Sequence, residues 1–202
     1  MIIFEYPVFD GSNGKIDIRS LFPDSKRPLK LEIGFGNGTF IFDKAQVEPD
    51  ADFIGIELYH KGIRSLANRI KKSSTKNIII IYANVKKVLA DSIRDNELVE
   101  VFINFPDPWP KKRHKKRRLV NVNFAQLLYS KLVNKGKIYL ATDSKDYLME
   151  MFVSFEGKPG FKNLAGRLQY SEKKSYPITT KYEEKSLSNG EKNYYLQYQL
   201  QK

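Results

Sequence analysis

Residues 103 to 118 read INFPDPWPKKRHKKRR. They set an amide (Asn104), a carboxylate (Asp107) and an indole (Trp109) just before Lys111–Arg118, eight residues with seven fixed positive charges and one histidine. Three prolines preset φ and withhold backbone N–H groups, so the stretch reads as a rigid turn rather than a helix or a central strand. The apolar Val101-Phe102-Ile103 before it reads as the strand that ends there. A strand end presenting these groups beside a dense cationic patch suits a site that holds a base while gripping a phosphate backbone. A basic run alone also describes a solvated loop or a localisation signal. Asn104, Asp107 and Trp109 shift the balance, because a targeting signal does not need them.

A second set of groups lies upstream. Lys30-Leu31-Glu32-Ile33 reads as a strand running into Gly34-Phe35-Gly36-Asn37-Gly38 and then into a helix over Thr39 to Val47. Strand, glycine turn and helix open a nucleotide-type site, since glycines let the backbone turn sharply and approach a ligand. The spacing is Gly-x-Gly-x-Gly at Gly34, Gly36 and Gly38, without the third glycine of Gly-x-Gly-x-x-Gly. Glu57 ends the second strand, where a carboxylate can accept both hydroxyls of a ribose. Glu32, two residues before the first glycine, would oppose a pyrophosphate but favours an ammonium. This pair of acids therefore points to S-adenosylmethionine rather than a nicotinamide dinucleotide. Asn84 follows the third strand, where its amide suits either an adenine edge or a helix N-cap. Leu58-Tyr59 reads either as a wall of an adenine pocket or as core.

The elements that must position these groups alternate along the chain. Strands are expected at Phe53–Ile56, Ile78–Ile81, Glu100–Ile103 and Lys137–Ala141. Helices are expected at His60–Lys72, Val85–Ile93, Val122–Val133 and Tyr147–Phe155, with Lys135-Gly136 ending the third of these. Ile78–Ile81 is too uniformly apolar for a half-exposed strand and reads as a parallel strand buried on both faces. The series predicts an α/β fold: a doubly wound, mostly parallel, seven-stranded sheet with helices on both faces. After Gly157-Lys158-Pro159-Gly160 the pattern changes. Gly166–Tyr170 and Tyr194–Leu200 read as an antiparallel edge hairpin, and the polar stretch 171–193 between them as a long, mobile loop.

With 202 residues, 41% of them hydrophobic, the chain is long enough to bury a full core. We expect one domain over 1–202, with 1–28 an N-terminal extension without a structural assignment. The net charge is +12, and the rest of the chain carries +5 once Lys111–Arg118 is set aside. Basic character concentrated in this way is expected of a polyanion-binding surface. Cysteine is absent and only two histidines occur, so thiolate chemistry is excluded and no metal site is expected. No apolar run approaches the roughly 20 residues that cross a bilayer. MIIFEYPVFDG at the start lacks the pattern of a secretory signal, and a cytoplasmic location is expected.

LEIGFGNG, GIE, YANV, FINFPDPWPKKRHKKRR, ATDS and TKYEEK occur in this order from about Leu29 onward. Together they closely resemble the bacterial tRNA (guanine-7-)-methyltransferases, a branch of the class I, Rossmann-like methyltransferases. The proline-turn block is particular to that family, whereas the glycine turn is shared across the class. The resemblance implies methylation of the 7-nitrogen of a guanine in the tRNA variable loop, position 46, from S-adenosylmethionine. It implies cofactor-binding roles for Glu32, Gly34, Gly36, Gly38, Glu57 and Asn84, and both cofactor contact and catalysis for Asp107. It implies substrate roles for Lys111, Asp143, Thr180, Lys181, Tyr182 and Glu183. It also implies RNA contact by Arg113, His114, Lys115, Lys116, Arg117 and Arg118. Many members carry Asp where this chain has Asn84, and Ser144 also departs from the family pattern.

The implied chemistry needs little apparatus. A guanine ring nitrogen has a free lone pair and no proton to lose, so the expected catalysis is in-line positioning, without a metal or an activated side-chain nucleophile. Asp107 is expected to position the base, Trp109 either to stack on it or to plug the turn, and the 171–193 segment to order over the site as a lid. The expected partner is tRNA, with no membrane and no metal; the oligomeric state stays open between monomer and homodimer. Two alternatives remain at this level: a methyltransferase acting on an exocyclic amine of an RNA base, and a non-catalytic RNA-binding module.

Overall fold

Alternating apolar residues decide the layers of the computed structural model, which describes residues 7–11, 14–22, 26–157 and 160–202. The first six residues, on which part of the secretory-signal reading rests, lie outside these, as do two of the four residues at the 157–160 break. The described chain opens with β1 (Val8–Asp10) and a 3-10 turn at Ile18–Leu21. Then follow β2 (Leu29–Ile33), α1 (Thr39–Val47), β3 (Asp52–Glu57), α2 (His60–Lys71), β4 (Ile78–Tyr82), α3 (Val85–Asp91) and β5 (Leu98–Asn104). Beyond the proline turn a 3-10 segment covers Lys112–Arg117. The remaining elements are α4 (Val122–Lys131), β6 (Leu132–Thr142), α5 (Lys145–Glu156), β7 (Phe161–Asn163), α6 (Lys181–Ser188) and β8 (Tyr194–Leu200).

The sheet order is β1-β4-β3-β2-β5-β6-β8-β7. The first six strands in that order run parallel, and β8 and β7 are antiparallel at one edge. The isoleucines of β4 show why its sequence is uniformly apolar. Ile79 and Ile81 belong to the apolar layer that includes Leu31, Val101 and residues of α3, α4 and α5, while Ile78 and Ile80 belong to the opposite layer, with Phe53 and with Ile63, Leu66 and Ile70 of α2. All four are buried. The chain winds outward from β2 through β3 to β4, then returns to the far side of β2 as β5. The crevice outside the carboxyl ends of β2 and β5 is thus a topological switch point, the place where open α/β sheets bind ligands.

Four local expectations need correction. The sheet has eight strands rather than seven, because the three-residue β1 pairs with Ile80–Tyr82 at the open edge of β4; a strand that short leaves no periodic signal. The pair Lys135-Gly136 does not stop a helix. Helix α4 ends at Lys131 and the chain passes straight into β6, where Lys135, at φ 65°, belongs to a register shift opposite Leu98/Glu100. Residues 166–170 turn instead of forming a strand, with Gly166 at φ 108° and Leu168 at φ 54°; β7 takes the edge position, and only Ser171 bridges to Tyr195. Finally, the polar 171–193 stretch is not a structureless loop, since it contains α6.

Gly62 explains how α2 can lie against the glycine turn. A Cβ built on it would come 1.8 Å from the Gly36 carbonyl oxygen. Glycine inside a helix ordinarily costs about 1 kcal/mol relative to alanine. Here the added methyl would displace backbone, and overpacking costs typically about 1–3 kcal/mol or more. Gly62→Ala should therefore lower the urea midpoint by an amount equivalent to roughly 2 kcal/mol or more; an unchanged or higher midpoint would show that the helix simply moves aside.

Candidate active site

The glycine turn is held from two sides. Gly34, Gly36 and Gly38 have φ of 68°, 56° and 76°, in the left-handed region that glycine enters freely. The Gly36 amide donates to Glu57 Oε2 at 2.9 Å, and Glu57 Oε1 accepts the amides of Leu58 (2.6 Å) and Tyr59 (3.0 Å). Gly38 is the N-cap of α1. Behind the turn, Asn104 Nδ2 donates to Glu32 Oε1 at 3.1 Å, and the Tyr176 hydroxyl donates to Asn104 Oδ1 at 3.0 Å. Glu32 is buried and its Oε2 has no hydrogen-bond partner among the described residues. Burial pushes its carboxyl up to about 8, with Glu57 adding in the same direction against the pull of Asn104 and the Ile41 amide.

Two clefts meet at Gly34, Asn104 and Phe105. One, of about 560 Å³, is walled by Glu57, Leu58, Tyr59, Ala83 and Val85 on one side and by Pro106, Asp107, Trp109 and Arg117 on the other. The second, of about 400 Å³, contains Glu32, Phe35, Gly36 and Asn37 together with Thr180, Tyr182 and Lys185. Asp143 joins this group through the Tyr182 hydroxyl, which donates to Asp143 Oδ2 at 3.3 Å. The Tyr182 ring lies 5.2 Å from that of Phe105, and burial followed by the Asp143 charge raises the phenol. An ammonium bound beside the partnerless oxygen would restore the Glu32 carboxylate, which burial otherwise keeps protonated up to about 8, and the acid at the end of β3 suits a hydroxyl-bearing ribose. The residues present therefore fit S-adenosylmethionine.

The proline turn is strained and anchored. Phe105 and Trp109 both precede proline, yet have φ of 50° and 41°, an uncommon conformation for non-glycine residues that calls for surrounding support. Arg118 supplies it. Its guanidinium donates to the Pro108 carbonyl (2.7 Å), Glu150 (2.6 Å) and Asp146 (2.5 Å), and lies 4.8 Å from the Tyr147 ring. Burial works against the Arg118 charge, but the two carboxylates outweigh it and raise the group. The RNA-contact role expected for Arg118 is thus corrected: its side chain is 1% exposed and its donors are committed to the turn. Lys115 also pairs with Asp146, at 2.7 Å. Lys111, Lys112, Arg113, Lys116 and Arg117 are exposed, and His114 is half-buried. Arg117 covers the Trp109 ring at 5.0 Å and His114 meets its edge at 5.8 Å, so Trp109 is both a cleft wall and a support of the turn.

Other expected site residues divide in the same way. Thr180 and Glu183 form a capping box at the start of α6. Glu183 is buried, accepting from Lys174 Nζ at 2.8 Å and from the Tyr195 hydroxyl at 2.6 Å. This corrects its expected role as a substrate contact, because it secures α6 to β8. The Lys181 side chain lies outside the described set. Asn84 is exposed and caps α3, accepting from the Lys86 amide at 2.9 Å; only its neighbours Ala83 and Val85 line the first cleft. Sequence reasoning missed Gly62 and Tyr176. Gly62 could have been noticed as a glycine on the apolar face of a helix. Tyr176, an aromatic in a polar stretch, gave no signal that it would be half-buried against Phe40, Phe102 and Tyr139.

The fold class can be set against known proteins. A SAM-dependent methyltransferase from Aquifex aeolicus superposes with TM-score 0.59 at 11% identity, covering 86% of this chain and 82% of that one. An rRNA methylase from Streptococcus thermophilus gives 0.58 at 10%, covering 91% and 92%. These neighbours share the fold of class I methyltransferases. The family described as "Putative methyltransferase" matches residues 26–196. The tRNA (guanine-N(7)-)-methyltransferase of Saccharophagus degradans is 39% identical over 178 residues, covering 88% of this chain and 77% of that protein. The enzyme of the same name from Alkalilimnicola ehrlichii is 38% identical, covering 86% and 73%. The chain belongs to the tRNA (guanine-N(7)-)-methyltransferase family.

Two measurements follow. Glu32 is neutral in both folded and unfolded chains below its ordinary value of 4.5; between there and about 8 only the unfolded chain ionises it. Stability therefore falls as pH rises through that window and is level above it. Glu32→Gln should match the wild type near the bottom of the window and exceed its stability by on the order of a few kcal/mol above the top; parallel pH–stability curves would refute the assignment. Arg118→Gln should cost about 1–3 kcal/mol in chemical denaturation, whereas Lys112→Gln should leave the midpoint within about 0.5 kcal/mol. Equal effects would mean that Arg118 is no anchor.

Proposed function

We propose that this protein methylates the 7-nitrogen of a guanine in the tRNA variable loop, using S-adenosylmethionine. The observation that carries the reading is the buried, partnerless Glu32 oxygen beside a glycine turn, in a cleft that meets the one lined by Asp107 at Gly34, Asn104 and Phe105. Glu57 with Leu58, Tyr59, Ala83 and Val85 would hold the adenosine portion, with Asn84 fixing the start of α3 beside them. Glu32, Gly34 and Gly36 would hold the amino acid portion. When bound, the cofactor supplies an electrophilic methyl on a sulfonium.

The side chains then have only to orient the base and stabilise charge. The attacking nitrogen loses no proton, so no general base is required; its purine becomes positive as the new bond forms. Asp107 and Asp143 place carboxylates where that charge develops. Tyr182, fixed by Asp143 and Phe105, would bear on the base from α6, together with Thr180 and Lys181. Lys111 and the exposed cations Lys112, Arg113, Lys116 and Arg117 would hold phosphates.

An exocyclic amine is disfavoured as the target. Enzymes of that kind use the turn amide to bond the amine, but both ends of the Asn104 side chain are already engaged, by Glu32 and Tyr176. The described residues share one sheet, in keeping with a single methyltransferase domain. No described helix is long and apolar enough to cross a membrane, and a tRNA-modifying role places the protein in the cytoplasm.

The test is incubation with labelled S-adenosylmethionine and unmodified tRNA, followed by nucleoside analysis. Label in 7-methylguanosine is expected; label on an exocyclic amine, or none, would refute the reading. Asp107→Ala should lower single-turnover methyl transfer by about 100-fold or more while changing the tRNA Kd less than about threefold. Equal losses in both would remove Asp107 from the chemistry and assign it to binding.

A further inference from the structure

The block at 111–118 is not the only concentration of positive charge. From Leu58 to Ala90 the chain has eight lysines and arginines and no aspartate or glutamate. With both segments set aside, the remainder is net negative. The stretch coincides with α2, β4 and the start of α3. Helix α2 buries Gly62, Ile63, Leu66, Ala67 and Ile70 and turns Lys61, Arg64 and Lys72 to solvent; Lys76 and Lys86 are exposed as well. Among the described residues, none of these five cations has a carboxylate within ion-pair distance.

Two of them, Lys61 and Lys86, are placed against the helix dipole. The first turn of a helix favours acids and disfavours cations. Yet α2 and α3 carry no acid there, while Lys61 and Lys86 occupy it. Local stability does not explain this arrangement; an external polyanion does. The position agrees. Leu58 and Tyr59, 55% and 56% exposed, lie immediately before α2 and form one wall of the cleft that Trp109 and Arg117 close on the other side. Cationic surfaces therefore leave the same cleft in two directions, one along the 3-10 segment and one along α2.

Resting on the function proposed above, we propose that the exposed face of α2, continued by Lys86 at the start of α3, is a second RNA-backbone surface. It grips tRNA phosphates on the side of the target nucleotide opposite the 111–117 loop. The two surfaces would hold the flanking backbone on either side while the base enters the crevice. RNA is favoured over an acidic protein because the face is flat in charge sign, without interspersed acids, and begins at a base-sized cleft with an exposed aromatic rim.

The experiment compares two triple variants of the full chain, Lys61→Gln/Arg64→Gln/Lys72→Gln and Lys112→Gln/Arg113→Gln/Lys116→Gln, by their affinity for unmodified tRNA across a salt series. Each lost phosphate contact should reduce the log–log salt slope by about 0.7–0.9, so the α2 variant should lose about 2 from the slope and bind tRNA roughly tenfold more weakly at low salt. Backbone footprinting should show a tRNA tract freed in the α2 variant that differs from the tract freed in the loop variant. Lys61→Glu alone should also weaken binding while keeping or raising the thermal midpoint, since an acid suits that turn; this separates lost contacts from lost folding. If the α2 variant keeps the wild-type slope and footprint while the loop variant does not, this proposal fails and the tRNA reading stands. If both variants keep them, both readings fail.

Discussion

Much of the site depends on the side chain of Asn104. It closes β5, donates to Glu32 on β2 and accepts from Tyr176 of the C-terminal segment, so one amide joins three parts of the chain far apart in sequence. A half-buried amide that uses both ends is held in one orientation, because turning it would break both hydrogen bonds. That rigidity leaves Glu32 with one occupied oxygen and one partnerless oxygen. A carboxylate that could rotate would find a second donor, and the cofactor's amino group would then have to compete for it. The site is thus prepared at the expense of stability, a pattern common where strain or unpaired groups serve function.

The proline turn obeys the same logic with different means. Its residues enter unfavourable backbone regions at Phe105 and Trp109, and Arg118 holds them there from behind through Pro108, Asp146 and Glu150. The last cation of the basic block therefore does structural work, and the block's count of charges overstates what RNA would meet. The C-terminal segment follows suit: Thr180 and Glu183 organise α6, and Tyr182 lines the second cleft together with Thr180. In both segments a functional motif contains its own scaffolding.

This division explains what was legible in the sequence. The parallel core could be read because burial on both faces leaves uniform apolar runs such as Ile78–Ile81, and because helix α2 carries its apolar residues at spacings of three and four. The glycine turn and its two acids could be read because the chemistry dictates residue type and position. What could not be read were tertiary commitments. Arg118 and Arg117 are adjacent and chemically identical, yet one is buried on carboxylates and the other covers an indole. Tyr176 looks like any aromatic in a polar loop until the fold sets it against Phe40, Phe102 and Tyr139. Lys135-Gly136 has the composition of a helix stop, but pairing across β5 and β6 turns it into a register shift. Competition from long-range pairing overrides local preference in each case.

Charge connects these parts under the proposed function. The donor brings a positive sulfonium into a crevice lined by acids, and the reaction moves that charge onto the purine. Asp107 and Asp143, if they face the base as proposed, would gain a favourable interaction as the bond forms, which is the differential stabilisation that accelerates a step. Those same acids would repel the phosphates of an incoming tRNA. The fold answers by setting cations beside the acids at the clefts, Arg117 with Asp107 at the first and Lys185 with Glu32 at the second. Rim charges act on phosphates that pass close by, and screening within about 8–10 Å at physiological salt limits their reach. A polyanion can thus be held at the surface while its one extruded base enters a negative interior.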